Sequence, residues 1–530
     1  MEINHSSEKR RRRRGSKGQT STNEFVKNQT IVGKGKPQDT EPILQNADNL
    51  RKVIINIENQ SKSKKRKRKG TVPKQGEPGY LSASQLRNAR KRRAKQLQKN
   101  ASDPSFHDKT KGIMNMSKKR SKDYDDPSTR YLKNPLSCPL AQSAKKYFAG
   151  MKKDFPIYIG QLKGWRTVSK LPVRRVNSKC TIGLFRPNSH NVVAVPDCQA
   201  HHTSINKAIK MIQHECDSLH IDPYNESDGT GYFRYVCLNV ERCTGKVQTT
   251  IVWNSSPYDD CEQAEGKRQL DSLTKSLVQK KDIFNMHSLW IHFNAQWKHA
   301  DNIFDYGSEK GDSLWTLIYG PPYVIETLDL SECKEPPMNP AVDLYFGPNV
   351  FRQANLDAFS KIIVSIRDYI TGYNATHHGK KPASCVELYG GVGTIGLNCV
   401  DIFNNFTSSD ENPHNKACFE KSVATLRKYK EKCRYIPKNA TDVIVDEHIL
   451  DRDCDIIIVD PPRKGFDNLV CQAIEDTEGP KLLVYVSCGF DAFKRDSEKL
   501  LKSGWTLDTA EGHLLFPGSD AIETLAFFTK

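Results

Sequence analysis

The sequence has no apolar stretch long enough to span a membrane and no Cys-x-x-Cys pair. A membrane helix needs about 20 consecutive apolar residues, and zinc ribbons carry closely spaced cysteine pairs. The fifteen cysteines are scattered between positions 138 and 488, which fits a reducing intracellular compartment better than a disulfide scaffold. We therefore expect no membrane partner, no zinc ribbon and no disulfide network.

Apolar residues are also scarce, at 37% of the chain, and no apolar core of a secretory signal follows the first methionine. Residues 1–130 hold 34 Lys and Arg against 13 Asp and Glu, whereas the whole chain holds 81 against 62. The excess positive charge therefore belongs to this first segment, and the rest is nearly neutral. Because 1–130 has few aromatic residues, it cannot bury enough apolar surface to offset its ordering entropy. The sequence predicts a disordered basic tail there.

Three dense basic runs lie in this tail: KRRRRRGSK (9–17), KSKKRKRKG (62–70) and RNARKRRAK (87–95). Such runs contact phosphate backbones or direct nuclear import. A helix is predicted over 81–97. A solvated linker without a specific partner is the alternative, but the repetition favours nucleic-acid contact and a nuclear or nucleolar location over the cytoplasm or an organelle.

The region 131–340 is predicted to be a central α+β domain. Short β-type runs separated by turns indicate an antiparallel sheet with one or two helices. The helix is SINKAIKMIQHECDSL (204–219), with apolar residues every three to four positions. The strands are TIGLF (181–185), NVVAVPD (191–197), RYVCLNV (234–240), VQTTIVW (247–253) and SLWIHFN (288–294).

The region 341–530 alternates strands with helices, which predicts an α/β, Rossmann-like domain whose parallel sheet has helices on both faces. Predicted helices lie at 353–371, 413–431, 466–475 and 491–503, with a short one after a Gly-rich turn. Predicted strands are 384–390, 405–411, 454–462 and 481–488, followed by a hairpin over 505–529. Ligands collect at the carboxyl ends of parallel strands, so the polar residues that end these strands are site candidates.

The first of these strand ends is followed by ELYGGVGTIG (387–396), which contains Gly-x-Gly-x-x-Gly at Gly391, Gly393 and Gly396. Glycines after a strand let a ligand lie against the backbone, and Glu411 ends the next strand where it could bind ribose hydroxyls. A methyl donor and a nicotinamide cofactor both contain adenosine and fit this pattern. A tight turn without a ligand is the remaining alternative.

Asp460 begins the Asp-Pro-Pro-Arg segment at another strand end, and Cys488 ends the strand after it. A rigid turn and a carboxylate suit a planar base beside a methyl donor, with Arg463 meeting the base or a phosphate. A thiolate that adds to carbon 6 of uracil makes carbon 5 nucleophilic, so Cys488 is the candidate nucleophile. A base must then remove the carbon 5 proton. Glu523, isolated in an apolar C-terminal strand, is the candidate.

Several motifs in the right order resemble the S-adenosylmethionine-dependent RNA (uracil-5-)methyltransferase family. FGPNVFRQANLDAF resembles the family's Phe-x-Gln-x-Asn segment, ELYGGVGTIGL its glycine motif, and DPPR and FPGSDAIE its acid and base segments. The resemblance covers about 155–530. It implies donor binding by the following residues: Gln353, Tyr389, Gly391, Gly393, Thr394, Glu411 and Asp460. It also implies Cys488 as nucleophile and Glu523 as base, with Arg463, Arg166 and Arg186 as RNA contacts. The last two have solvent-facing positions as the alternative.

The chain departs from the family at several positions. Gly489 and Phe490 replace the Asn and Pro that follow the nucleophile, while Ser519 and Ala521 replace a Thr and a His near the base. Leu514 replaces an Asp. Some members hold an iron–sulfur cluster with four cysteines. Cys198 matches the last of these ligands, but the clustered pair is missing, so we expect no metal and no cluster.

The sequence as a whole predicts a monomeric enzyme that uses S-adenosylmethionine to make 5-methyluridine in structured RNA, with tRNA preferred over rRNA. Three other functions stay open at this point. A non-catalytic RNA-binding or RNA-folding protein would bind RNA without methylating it. An amino-group methyltransferase would use the Asp-Pro-Pro segment without needing Cys488 or Glu523. A nicotinamide oxidoreductase would share the glycine motif.

Overall fold

A computed structural model describes residues 126–530, except residues 196, 257–263, 296–302, 305–313, 339, 378–382 and 451–453. The described residues all fall within one compact unit. Most of the basic tail predicted over 1–130, the helix predicted over 81–97 and all three basic runs lie outside the described residues. None of the described helices is both long enough and apolar enough to cross a membrane.

The described strands follow one another along the chain as β1 to β17. They are β1 (Ile157–Ile159), β2 (Val168–Val176), β3 (Lys179–Phe185), β4 (Val192–Ala194), β5 (Phe233–Val240), β6 (Val247–Trp253), β7 (Met286–Phe293), β8 (Trp315–Tyr319), β9 (Val324–Glu326), β10 (Leu344–Phe346), β11 (Ala383–Leu388), β12 (Phe403–Ser409), β13 (Cys433–Ile436), β14 (Ile456–Val459), β15 (Leu482–Ser487), β16 (Thr506–Leu514) and β17 (Glu523–Thr529).

The described α-helices are α1 (Pro139–Gly150), α2 (Thr203–Ser218), α3 (Ala264–Gln279), α4 (Leu356–His377), α5 (Asn415–Thr425), α6 (Ala440–Glu447), α7 (Asn468–Asp476) and α8 (Phe490–Lys502). Short 3-10 turns lie at Pro135–Ser137, Gly396–Ile402 and Lys430–Lys432. The last two directly precede β12 and β13, respectively.

Eight strands form the larger sheet in the order β1-β16-β17-β15-β14-β11-β12-β13. The strands from β15 to β13 are parallel, while β17 runs antiparallel to both β15 and β16. β14 reads Ile-Ile-Ile-Val and is buried throughout, as expected for a central strand covered on both faces. The predicted alternation of strands and helices and the predicted C-terminal hairpin are confirmed.

Helices cover the two faces of this sheet and bury separate apolar cores. The first core lies under α4 and α5 and contains Phe359, Phe419 and Val484. The second core lies under α1, α6, α7 and α8 and contains Phe148 and Phe493. Side chains of alternating strand residues enter one core or the other. The first-core face is the one that carries the candidate active site.

Seven strands form the smaller sheet in the order β4-β3-β2-β5-β6-β7-β8. Helices α2 and α3 pack on one face of it. All five strands predicted in this region are present. The prediction of a purely antiparallel sheet is wrong at one place, because β6 and β7 pair in parallel. Helix α3 connects these two strands, and a helical crossover is the usual way to bring consecutive strands parallel.

Four elements of the catalytic region differ from the predictions. The short helix after the Gly-rich turn is a 3-10 turn at Gly396–Ile402. The helix predicted over 413–431 ends at Thr425, because tight turns follow and lead the chain into β13 at the sheet edge. β13 and α6 were not predicted at all. Both are short, and neither has a long apolar pattern.

The N-terminal part of the predicted central domain packs with the larger sheet. Helix α1 buries its apolar residues in the second core, and β1 pairs in parallel with β16. The domain limits at 130/131 and 340/341 stay a prediction.

Candidate active site

Cys488 and Glu523 lie at the ends of two neighbouring strands. The paired residues of β15 end just before Cys488, and those of β17 begin just after Glu523. Cys488 and Glu523 therefore occupy the next position in register. Val486 and Leu525, two positions away from them, both enter the first core. Because alternate strand residues share a face, Cys488 and Glu523 lie on that same face, as neighbours.

Asp460 reaches the same face from β14. This strand pairs with β15 on one side and β11 on the other, and Ile458, two residues earlier, enters the first core. Burial raises the pKa of Asp460 to about 7, and the charge of Asp410 contributes in the same direction. The tip of β14 therefore places a largely desolvated carboxyl beside the cysteine.

The thiol of Cys488 is held in its neutral form in the free protein. Burial, together with the charges of Glu523 and Asp460, raises its pKa to about 11 against the opposing effect of Arg463. Burial also raises the pKa of Glu523 to about 8. The charge of Asp460 acts in the same direction, and that of Arg463 lowers the pKa. Cys488, Glu523, Asp460 and Arg463 therefore form one electrostatic cluster. A base whose pKa lies near neutrality is suited to proton transfer.

Gly489 allows the Asp-Pro-Pro-Arg turn to lie against the backbone next to Cys488, the candidate nucleophile. A Cβ atom at position 489 would lie 2.3 Å from the Arg463 carbonyl oxygen and 3.0 Å from its carbonyl carbon. Backbone atoms cannot move aside as a flexible side chain can. Phe490, the next residue, begins α8 and is buried in the second core near Phe148. Gly489 and Phe490 are the two departures from the family's Asn-Pro pair. Gly489 permits the close contact with the turn, and Phe490 packs in the second core.

We expect Gly489→Asn, which restores the family's usual residue, to lower turnover by about 10²-fold. The added side chain displaces Arg463 from Cys488 and Glu523 while leaving the donor loop untouched. Methyl transfer to RNA under saturating and subsaturating substrate measures the effect. Gly372→Ala is the matched control, since a Cβ there meets no atom within 4 Å. Full turnover by Gly489→Asn would show that the contact has no role in positioning.

The glycine motif forms a tight turn after β11. Gly391 and Gly393 adopt φ angles of 57° and 81°, which side chains other than glycine rarely tolerate. The Gly391 N–H donates to Asp410 Oδ2 at 3.1 Å. Buried Glu387 accepts hydrogen bonds from the Gly396 N–H at 3.0 Å and from the Ser408 hydroxyl at 2.7 Å. These contacts fix the loop with its backbone exposed toward the strand ends.

Asp410, which the sequence analysis did not identify, occupies the position assigned there to Glu411. β12 ends at Ser409, and Asp410 follows on the face that carries Ser408, with its carboxylate on the glycine loop. Glu411 is exposed to solvent. The alternation of Phe406, Ser408 and Asp410 along the strand is the signal that identifies Asp410. Asp410 is therefore a better-placed candidate than Glu411 for binding ribose hydroxyls.

The remaining donor-binding candidates surround this turn or precede α4. Tyr389 has a φ of 59°, and its buried hydroxyl has no hydrogen-bond partner among the described residues. Thr394 lies within the turn, and its carbonyl oxygen accepts a hydrogen bond from Asn398. Gln353 lies between Arg352, which donates to Glu326 at 2.5 Å, and Ala354, which accepts from Thr167. The backbone on both sides of Gln353 is therefore fixed.

The residues present fit a cationic, adenosine-containing ligand. Burial raises the pKa of Glu387 to about 7 and also raises the pKa of Asp410, so with Asp460 three carboxyls lie in a poorly solvated region. A positive charge placed among them lowers all three pKa values. The Gly391 turn offers open backbone, since a Cβ there would meet no atom within 4 Å. A sulfonium compound matches this charge pattern better than a dinucleotide with two phosphates.

Two of the three arginines predicted to contact RNA, Arg166 and Arg186, lie outside the cluster around Cys488. The Arg166 guanidinium lies 4.9 Å from the centre of the Trp165 ring and 5.6 Å from that of Phe516, and burial lowers its pKa. It packs against the loop that precedes Glu523 and is not simply solvent-facing. Arg186 is half-buried at the start of the turn after β3, on the smaller sheet.

Among the described residues, no group of three or more His, Cys, Asp or Glu side chains is arranged to hold a metal ion. Cys198, the position matched to a cluster ligand, lies 3.6 Å from Asp126 Oδ2 and 3.7 Å from the Ser128 hydroxyl. The expectation that the protein carries no metal or iron–sulfur cluster stays a prediction.

Known proteins similar to this chain are RNA methyltransferases. An uncharacterized RNA methyltransferase of Protochlamydia amoebophila is 34% identical over 377 residues, which cover 71% of this chain and 88% of the relative. The 23S rRNA (uracil(747)-C(5))-methyltransferase of Shewanella putrefaciens is 23% identical over 411 residues, covering 76% and 94%. No protein-family model matches the chain.

A solved structure shares the fold. The tRNA (uracil-54, C5)-methyltransferase of Pyrococcus abyssi, in complex with S-adenosyl-L-homocysteine, matches with a TM-score of 0.52 and 19% identity. The match covers 73% of this chain and 81% of that one. The mixed α/β architecture with two sheets is therefore one that a solved methyltransferase structure shares.

Proposed function

We propose that this chain, which belongs to the S-adenosylmethionine-dependent RNA (uracil-5-)methyltransferase family, methylates carbon 5 of a uridine in structured RNA, with tRNA as the preferred substrate. The observation that carries the proposal is the pairing of Cys488 with Glu523 on one face of the sheet, at adjacent strand ends. An amino-group methyltransferase needs neither residue.

Cys488 begins the reaction. The thiol releases its proton to solvent, and the uridine leaves its stack so that carbon 6 reaches the resulting thiolate. The sulfur–carbon bond forms as the carbon 5–carbon 6 double bond opens, and the electron pair passes to the carbon 4 oxygen as an enolate. Arg463 is the described neighbour that lowers the pKa of Cys488, so it favours the thiolate and is placed to hold the base edge with Asp460.

S-adenosylmethionine supplies the electrophilic methyl group. Gly391, Gly393 and Asp410 are the residues best placed to hold its adenosine, with Gln353, Tyr389, Thr394 and Glu411 as the other candidates. Carbon 5 takes the methyl group, and the sulfonium becomes a neutral thioether. The carboxyls of Glu387, Asp410 and Asp460 stabilise the positive charge before transfer.

Glu523 completes the reaction. Its carboxylate removes the carbon 5 proton, the carbon 5–carbon 6 double bond re-forms, and the Cys488 thiolate leaves. Burial raises the pKa of Glu523 to about 8, so its carboxylate is more basic than that of an exposed glutamate. Its position one strand away from Cys488 places both groups on the same adduct.

The basic tail gives the enzyme its RNA contacts outside the catalytic region. The three runs at 9–17, 62–70 and 87–95 carry the charge for binding phosphates, and we propose that they also direct the protein to the nucleus. Arg166 and Arg186 are proposed as further contacts from the smaller sheet. The binding affinity is expected to fall steeply as salt rises, since phosphate contacts release counterions.

Methyl transfer from labelled S-adenosylmethionine to purified tRNA and purified rRNA tests the proposal, with both RNAs taken from cells that lack the protein. Nuclease digestion and mass spectrometry then identify the methylated nucleoside. We expect 5-methyluridine in tRNA. Label in rRNA alone would make rRNA the substrate. Label on an amino group, or RNA binding without label, would overturn the proposed function.

A further inference from the structure

The loop 515–522 joins β16 to β17 and delivers Glu523 to the active site. This loop, together with the register of β17 against β15 and β16, sets the position of the carboxylate relative to Cys488. A base must lie within hydrogen-bond reach of the proton it removes, so a small displacement of the loop is costly. The contacts of the loop therefore bear directly on the last step of the reaction.

The first half of the loop is held by parts of the chain already assigned to the site. The Asn355 side-chain amide donates to the Leu515 carbonyl oxygen at 2.7 Å. Phe516 packs against Trp165, with ring centres 5.2 Å apart. Neither contact reaches residues 518–521, which are the last residues before the strand that carries the base.

The second half is held by residues 126–140, which we call the strap. The Tyr131 N–H donates to the Gly518 carbonyl oxygen at 2.9 Å. A Cβ atom at Gly518 would lie 2.3 Å from the Ser128 carbonyl oxygen and 2.8 Å from Leu132 Cγ. The strap backbone thus lies directly on the loop, with Leu132 against it.

The strap also contacts two further loop residues, Asp520 and Ala521. Asp520 Oδ1 accepts a hydrogen bond from the Leu140 N–H at 2.9 Å, and so satisfies one of the free donors at the start of α1. The buried Cys138 thiol lies against the backbone of Ala521. Three positions in the second half of the loop, 518, 520 and 521, are therefore bound by one segment that precedes the larger sheet in the chain.

We propose that the strap is a positioning element for the catalytic base. The family's Thr and His near the base are Ser519 and Ala521 in this chain, so side chains of the loop itself offer less support for Glu523. Docking of residues 126–140 onto the loop supplies that support from outside. The inference rests on the proposed function, because it assigns the strap to the proton-removal step of that reaction.

The test uses two variants of the full chain, one on each side of the contact. Asp520→Ala removes the acceptor for the Leu140 N–H, and Leu132→Ala removes the strap side chain against Gly518. We expect each to lower turnover about tenfold, and the RNA adduct that survives denaturant to rise during turnover. The RNA KM and the donor Kd are expected to change by less than about twofold. The double variant is expected to be no worse than the stronger single one, because both remove the same docking.

Two controls separate positioning from general destabilisation. Asp520→Asn keeps an acceptor oxygen and is expected to recover most of the turnover. Asp446→Ala removes a surface carboxylate that pairs with Lys438 and is expected to behave as the parent. Loss of turnover without adduct in both strap variants would overturn the inference. If Glu523→Gln accumulates adduct in the same assay, the proposed function stands regardless. If Cys488→Ala keeps full activity, the proposed function itself fails.

Discussion

Replacing Cys488 with alanine is expected to abolish formation of 5-methyluridine, with a fall in turnover of about 10⁴-fold or more. Carbon 5 of uracil is a poor nucleophile until a group adds to carbon 6, and the alanine methyl cannot add. No other described cysteine ends a strand on the face shared with Glu523 and Asp460. We therefore expect no residual pathway through a neighbouring thiol.

Single-turnover methylation with labelled donor measures the loss, and a gel under denaturing conditions shows whether the covalent RNA adduct disappears with it. Cys243→Ala is the matched control, since this cysteine is exposed and lies on the turn between β5 and β6 of the smaller sheet. RNA binding by Cys488→Ala is expected to stay within about threefold of the parent, because the substitution touches no phosphate contact. Methylation at the parent's rate would rule out covalent catalysis by this residue.

The grouping of the candidate site residues at one edge of the sheet is predictable from sequence because fold and motif order act together. Strands that alternate with helices place their carboxyl ends at one edge, so Asp460 and Cys488 are neighbours by topology alone. Glu523 arrives from an antiparallel strand, and only the hairpin at the end of the chain brings it to that edge. An apolar strand that starts with a lone carboxylate is itself a signal of function.

The parts that sequence reasoning missed depend on register or on distant contacts. Choosing Asp410 over Glu411 requires knowing which residues of β12 face the first core, a difference of one position. Position 489 requires glycine because the Arg463 carbonyl oxygen, which lies on another turn, leaves no room for a Cβ atom. The contact of Leu140 with Asp520 spans 380 residues of sequence. No local pattern of residue types encodes such a contact.

The parallel pair in the smaller sheet was missed for a related reason. β6 and β7 have the β-type composition that was predicted, but their direction depends on what connects them. Helix α3 lies between them and was not identified from its sequence, which is largely polar outside a narrow apolar stripe. Without the helix, an antiparallel pairing is the natural expectation for consecutive strands.

Replacing Glu523 with glutamine is expected to trap the reaction after methyl transfer. Cys488 still adds and carbon 5 still takes the methyl group, but the amide cannot remove the carbon 5 proton. Methylated RNA should therefore accumulate as an adduct that survives denaturant, in an amount close to one per enzyme. Steady-state turnover should fall by about 10²–10⁴-fold, the range for a lost general base. Adding Cys488→Ala to this variant should remove the adduct.

Glu523→Gln is also expected to raise the free energy of unfolding at high pH. A loss of turnover in this variant would then not be due to misfolding. Burial raises the pKa of Glu523 to about 8 in the folded protein, above the 4.5 of an exposed glutamate. The protonated carboxyl therefore makes a contribution to stability that is fully present below pH 4.5. This contribution is lost as pH rises through 8. Glutamine is neutral throughout, so Glu523→Gln is expected to exceed the parent in unfolding free energy by on the order of 5 kcal/mol at pH 9 and to match it near pH 4.5. Denaturant titrations at the two pH values measure this. A variant less stable than the parent at pH 9, or one that turns over without adduct, would contradict Glu523 as a buried general base.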